Sequence, residues 1–249
     1  MIRVFIIGDS TSAKKEEHKR PESGWGEHIE SLSNQEFQVF NYAKNGESTQ
    51  SFINKGLFDT VLNQLSQDDY LFIQFGHNDQ KIHDKNRYTH PYKTYQENIT
   101  YFYQEASKKG AKVLLLSSIS RRDFKNHKRI NKKTLGDYPK SIKILSNRLN
   151  IPFIDMFKKT VKLYEYLGFE LSKELFLHLK PGIHKNYMDG VSDNTHLNEF
   201  GAKIIAQIVL NEIKRKQLLN QTMDPIKSYR MIDIKRLVYV QKRSGRLHI

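Results

Sequence analysis

Short runs of almost uninterrupted apolar residues occur at 4–7, 70–75 and 113–116. A run without polar alternation suits a parallel strand buried on both faces. Segments 35–42 and 152–154 read as two further strands. Between them, apolar positions recur with helical spacing over 56–65, 92–109, 138–149 and 199–216. Gly110 closes the second of these as a natural C-terminal stop. The clearest pattern is 199–216, where Ile204, Ile205, Ile208, Val209 and Ile213 fall on one stripe. Alternating strands and helices predict an α/β protein, a parallel sheet covered by helices. Sheets of this kind hold their sites beyond the C-terminal ends of the strands.

A length of 249 residues suits one α/β domain with a sizeable core. Hydrophobic residues at 38% and aromatics at 11% argue against wholesale disorder. The chain has no cysteine, which excludes a thiol nucleophile and thiolate metal sites. It also leans weakly toward a reducing compartment. The first apolar run is too short for a signal-peptide core. No stretch approaches the roughly 20 apolar residues of a membrane span. A soluble, cytoplasmic protein with no membrane partner is the expectation. The net charge of +14, from 41 Lys and Arg against 27 Asp and Glu, suits an anionic partner. A solvated lysine-rich surface is the simpler account, since the basic residues are scattered except near 121–133 and in the C-terminal tail.

The first strand ends in Gly8-Asp9-Ser10-Thr11. Glycine permits a sharp exit, and Ser10 could open a helix with its own N–H pointing into a site. Alone, the string is an ordinary turn. The second strand runs into Asn41-Tyr42-Ala43-Lys44-Asn45-Gly46-Glu47-Ser48, where Gly46 offers a backbone N–H with no side chain in the way. The third ends in Gln74-Phe75-Gly76-His77-Asn78-Asp79, which places the Asn78 amide at the same edge. A local structural role is the expectation for His77. Ser10 N–H, Gly46 N–H and the Asn78 side chain could together form an oxyanion hole. Asp193-Asn194-Thr195-His196-Leu197-Asn198 precedes what reads as the last helix. Asp193 and His196, three apart in a turn, can lie side by side. The carboxylate then fixes the imidazole tautomer while the other ring nitrogen takes a serine proton. Asn198 is a candidate N-cap. Each string has a bland explanation, but all four fall in order at the positions where an α/β site belongs.

With these blocks the sequence resembles an SGNH (GDSL-like) hydrolase over about residues 2–215. Gly24-Trp25-Gly26 and the fuller strings at 8–11, 41–48, 74–79 and 196–198 look like the rhamnogalacturonan acetylesterase branch. The resemblance implies a flavodoxin-like three-layer α/β/α sandwich. It implies a serine esterase that removes O-acetyl groups from pectic carbohydrate through an acyl-enzyme. Ser10, His196 and Asp193 would form the triad, and Ser10, Gly46 and Asn78 the oxyanion hole, with no cofactor and no metal. Glu47 departs from the pattern, where arginine or a small residue is expected. The resemblance covers a hydrolase domain over 1–218 and leaves a basic extension over 219–249. Segment 236–240 of that extension is expected to form an extra strand or a contact in a homodimer.

The substrate expected is an acetylated carbohydrate, an acidic one suiting the charge, in the form of an imported oligosaccharide. A short-chain lipid or thioester hydrolase is the rival on the same scaffold. The polar loops 14–20 and 81–92 argue against a broad greasy channel. A metal-dependent phosphoesterase needs carboxylate and imidazole ligands converging on metals, but Asp9 is followed by Ser10 and Thr11 rather than by a histidine ligand. No nucleic-acid-binding motif is present, so no nucleic-acid partner is expected.

Overall fold

The structure, a computed structural model, describes residues 1–219 and 230–244. Its strands are β1 (Ile2–Gly8), β2 (Glu22–Ser23), β3 (Phe37–Asn41), β4 (Tyr70–Gln74), β5 (Lys112–Leu116), β6 (Phe124–Lys125), β7 (Arg129–Ile130), β8 (Phe153–Ile154), β9 (Phe176–Leu179) and β10 (Val191–Asn198). Its helices are α1 (Ile29–Leu32), α2 (Thr49–Asn54), α3 (Leu57–Leu62), α4 (Thr94–Lys108), α5 (Tyr138–Arg148), α6 (Met156–Leu171), α7 (Glu199–Lys216) and α8 (Met231–Ser244).

The apolar runs become strands because both of their faces are covered. Val4 and Ile6 of β1, Phe72 of β4 and Leu114 of β5 enter one core, with side chains of α6, α7 and α8. Their chain neighbours Phe5, Ile7, Leu71, Ile73 and Leu115 enter the other, against α2, α3, α4 and α5. The result is the three-layer α/β/α sandwich. All five central strands are parallel, in the order β3-β1-β4-β5-β8. After β3 the chain crosses back over β1 to start β4. The crevice opened by that reversal lies at the ends of β1 and β4, where the strings beginning at Gly8 and Gln74 emerge. Asn198 caps α7 as expected, its Oδ1 accepting from Gly201 N at 2.8 Å.

A second sheet, β2-β10-β9, is antiparallel and was not evident in the sequence. Several other features differ from expectation. Ser10 lies in a turn rather than at the start of a helix, with Ser12 N and Ala13 N both bonding to Asp9 O. The helix over 56–65 is shorter, and α2 precedes it, the two being separated at Gly56 with φ +63°. Helix α6 occupies a stretch where three lysines, at 158, 159 and 162, dilute the apolar period. Glu199–Lys216 is not the last helix, because α8 follows it. Residues 236–240 therefore belong to a helix and not to an extra strand. Ile234 and Val238, one helical turn apart, are both buried in the core that α6 and α7 line. The rest of the extension, 220–229 and 245–249, lies outside the described residues. No helix among the described residues is long and apolar enough to cross a membrane.

Candidate active site

The turn after β1 is fixed by its neighbours before any question of chemistry arises. A Cβ at Gly8 would sit 2.5 Å from Gln74 O, so β1 can lie this close to β4 only with glycine there. The Asp9 carboxylate is fully buried and accepts from Thr11 N at 3.0 Å, Thr11 Oγ1 at 2.8 Å and His77 Nδ1 at 3.0 Å. Burial alone would raise its pKa. His77 and the Thr11 donors outweigh that and hold it at about 2. Asp9 thus ties the turn after β1 to the loop after β4, and His77 sits in that structural bond. Beneath the turn, Trp25 N donates to Thr11 O and Trp25 Nε1 to Gln74 Oε1. A Cβ at Gly24 would lie 2.2 Å from Ala13 O. The Gly24-Trp25-Gly26 string is therefore the floor of the serine turn.

Ser10 Oγ lies 3.0 Å from His196 Nε2, and His196 Nδ1 lies 2.7 Å from Asp193 Oδ2. A carboxylate only accepts, so Nδ1 carries the proton and Nε2 is left to receive one from Ser10. Asp193 Oδ1 accepts from Thr195 N at 2.6 Å and His196 N at 2.9 Å, which curls residues 193–196 around the carboxylate. Gly46, in the loop after β3, adopts φ +80°. Among the described residues, the N–H groups of Ser10 and Gly46 donate to no protein acceptor. Asn78 Nδ2 gives one hydrogen to Glu47 O at 2.9 Å and keeps the other. An alcohol, an imidazole and a carboxylate thus stand in one hydrogen-bonded line, and three N–H donors on the loops after β1, β3 and β4 are not spent on protein acceptors, the kinds of group that hydrolysis of an acyl ester requires.

A model of the GDSL-like lipase/acylhydrolase family matches residues 6–204. The chain belongs to that family. Among its relatives, the rhamnogalacturonan acetylesterase RhgT of Bacillus subtilis (strain 168) is 43% identical over 213 residues, 86% of this chain and 90% of that protein. The rhamnogalacturonan acetylesterase of Emericella nidulans is 23% identical over 233 residues, 84% of each chain. The crystal structure of Axe2, an acetylxylan esterase from Geobacillus stearothermophilus, superposes with a TM-score of 0.60 at 16% identity. That match covers 85% of this chain and 94% of Axe2. This likeness is one of fold.

In this GDSL-like hydrolase, burial would raise the Asp193 carboxyl, but the His196 bond and charge and the two backbone N–H groups bring it to about 2. Burial would lower the His196 pKa. Asp193 and Glu22 more than reverse this and raise it. The curl itself is a gap in pairing: five steps from Ser192 to Leu197 on β10 oppose two from His178 to Phe176 on β9. Arg122 fills the gap from behind. Its N donates to Asn194 O at 2.8 Å, its Nη1 to Asn194 Oδ1 at 2.8 Å and its Nε to Ser172 Oγ at 3.0 Å. Its Nη2 donates to Phe169 O, and the guanidinium lies over the Phe169 ring.

Glu47, the departure from the family pattern, is bound to α2 and its C-terminal end. It accepts from Ser51 Oγ and pairs with Lys55 at 2.6 Å on one wall of an open polar groove that starts at Gly46. The sequence marks the basic stretch 121–133 and the polar loop 81–92 but gives no individual role to Arg122, Lys81, Arg87 or Arg121 within them. Among the described residues, no cluster of three or more His, Cys, Asp or Glu side chains is arranged to hold a metal ion.

Proposed function

We propose that this hydrolase removes O-acetyl groups from pectic carbohydrate of the rhamnogalacturonan type. The 43% identity to RhgT over most of both chains carries the substrate class. The 3.0 Å contact of Ser10 Oγ with His196 Nε2 carries the assignment of roles. Ser10 Oγ attacks the acetyl carbonyl carbon while its proton passes to His196 Nε2. Ser10 N–H, Gly46 N–H and Asn78 Nδ2 receive the oxyanion. Collapse returns the proton from His196 to the departing sugar oxygen and leaves acetyl-Ser10. Water, deprotonated by His196, then releases acetate. Asp193 remains ionised throughout, as its low pKa requires.

The acidic character of the substrate has separate support. Burial and the charges of Arg87 and Arg121, both close to Lys81, lower its pKa. Burial lowers the pKa of Arg121, and the nearby Asp9, Asp123 and Asp193 only partly offset it. Among its hydrogen bonds, the one to Thr134 O is to a neutral acceptor. A uronate carboxylate is a fitting counter-ion for such a group.

The test is a hydrolysis panel of acetyl and octanoyl p-nitrophenyl esters, acetylated neutral sugars and acetylated pectic oligosaccharides, run with wild type and Ser10→Ala. Acetate release from the pectic oligosaccharides is expected, with turnover reduced by about 10³-fold or more in folded Ser10→Ala. A preference for octanoyl esters overturns the carbohydrate assignment, and near-normal turnover in Ser10→Ala overturns the nucleophile.

A further inference from the structure

Lys15 is the least expected residue at the site. It lies in a polar loop yet is only 3% exposed, with an entirely buried side chain. An ammonium has three N–H donors and no acceptor. Here Nζ donates to Ser10 O and to Asn45 Oδ1 at 2.6 Å, and it pairs with Glu22 Oε1 at 2.9 Å. Each of the three bonds goes to a different segment. Ser10 belongs to the turn after β1. Asn45 shares its following peptide with Gly46, so fixing Asn45 orients the Gly46 N–H. Glu22 lies on β2 opposite Asn198 of β10, two residues beyond His196. The main chain of Lys15 is itself anchored, its N donating to Glu27 Oε1 at 3.2 Å, and Glu27 also receives Gly24 N and pairs with Arg20.

The geometry points to Lys15 as a positioning residue of the esterase reaction, one that locks nucleophile, oxyanion donor and histidine strand together through a single ammonium and balances the Glu22 charge beside His196. It rests on the assignment of Ser10, Gly46 and His196 given above. A buried ammonium is costly unless every donor is satisfied, and here each donor is spent on the machinery. No part of Lys15 is left to meet a sugar, so its effect belongs in kcat and not in KM.

The charge balance has a sign that can be worked out. The charged groups acting on Lys15 are Glu22, Asp9 and Glu27. Those acting on His196 are Asp193, Glu22 and Lys15, the two acids favouring the imidazolium and Lys15 opposing it. His196 must be neutral to accept the serine proton. Removing Lys15 leaves Glu22 unpaired, favours the imidazolium and moves the acid limb of kcat/KM to higher pH. Removing the Glu22 charge moves it to lower pH.

The experiment measures kcat, KM and the acid limb on p-nitrophenyl acetate for Lys15→Met, Lys15→Arg, Glu22→Gln, Lys15→Met/Glu22→Gln and Ser10→Ala, each checked for folding by circular dichroism. Lys15→Met is expected to lower kcat by up to about a hundredfold, the scale of an ångström of misplacement, with KM held and the acid limb raised. The double variant should return the limb toward wild type without recovering kcat. Lys15→Arg keeps the charge but not the three-way geometry, so it should hold the limb and lose turnover. A merely structural lysine would lower thermal stability and leave the limb in place. Should Lys15→Met not fold, Glu22→Gln still decides: an unmoved limb there overturns the proposal. Turnover within about twofold of wild type in Lys15→Met also overturns it, provided Ser10→Ala is inactive. Retained turnover in Ser10→Ala overturns the reading of the site and the role of Lys15 with it.

Discussion

At the scale of single residues, what could be read in the sequence was decided by whether a residue's identity is unusual in its local setting. Gly8, Gly46 and Asn78 stand out because glycines and an amide follow strands at the edge where α/β sites form, and the Asp193/His196 pair because it precedes a long helix at the end of the same pattern. Lys15 does not stand out, since a lysine in a polar loop looks the same whether it ends in solvent or buried against Ser10 O, Asn45 and Glu22. Glu47 signalled a departure from the pattern but not its consequence: the side chain bonds to Ser51 and Lys55. Its carbonyl matters more, because it holds one hydrogen of Asn78 Nδ2 and aims the other. Asn78→Ala should therefore lower kcat by about a hundredfold or more with little change in KM, the usual effect of losing one oxyanion donor. Steady-state kinetics on p-nitrophenyl acetate checks this. A change in KM alone would move Asn78 to substrate binding.

At the scale of elements, strands buried on both faces were the legible ones. β1, β4 and β5 have no polar alternation because α-helices cover both sides of them. The second sheet was missed for the opposite reason. β10 reads Val-Ser-Asp-Asn-Thr-His-Leu-Asn, is largely half-exposed, and breaks its pairing where Asp193 and His196 sit. A strand whose use is to carry a curl cannot show a regular period. Arg122 supports it from outside, and its position in a basic stretch gives no hint of burial. Arg122→Met keeps the bulk but removes the guanidinium bonds to Asn194 Oδ1, Ser172 Oγ and Phe169 O, leaving Asn194 Oδ1 with His178 Nε2 at 3.0 Å and Phe169 O with Ser172 Oγ at 3.3 Å. An unpaired buried polar group costs about 1–3 kcal/mol. A loss of about 1–3 kcal/mol is expected by urea denaturation, with turnover falling as residues 193–196 loosen. Unchanged stability would mean that β9 and β2 hold the curl unaided.

At the scale of the whole molecule, a parallel sheet covered by helices followed from the order of strands and helices and the three-layer arrangement from the family resemblance, whereas the burial of α8 followed from neither. Two apolar residues four apart, Ile234 and Val238, among basic neighbours fit a strand or a helix until the core they fill is known. The charge of +14 is likewise ambiguous in composition alone. Scattered over the surface it is a weak, general attraction for anions. Concentrated at Lys81 and Arg121 beside the strand ends, it would select an anionic substrate. Salt separates the two cases, since the screening length falls from about 30 Å at 0.01 M to about 8 Å at 0.15 M. If the local cations bind and steer a uronate, kcat/KM on an acetylated acidic oligosaccharide should fall over that range, while a neutral acetyl ester should respond little. Lys81→Gln and Arg121→Gln should each flatten the acidic substrate's response and spare the neutral ester. A response that persists in both variants would assign the attraction to the protein's overall charge. An equal response of acidic and neutral esters would separate the charge from the substrate altogether and leave +14 as a property of the solvated surface.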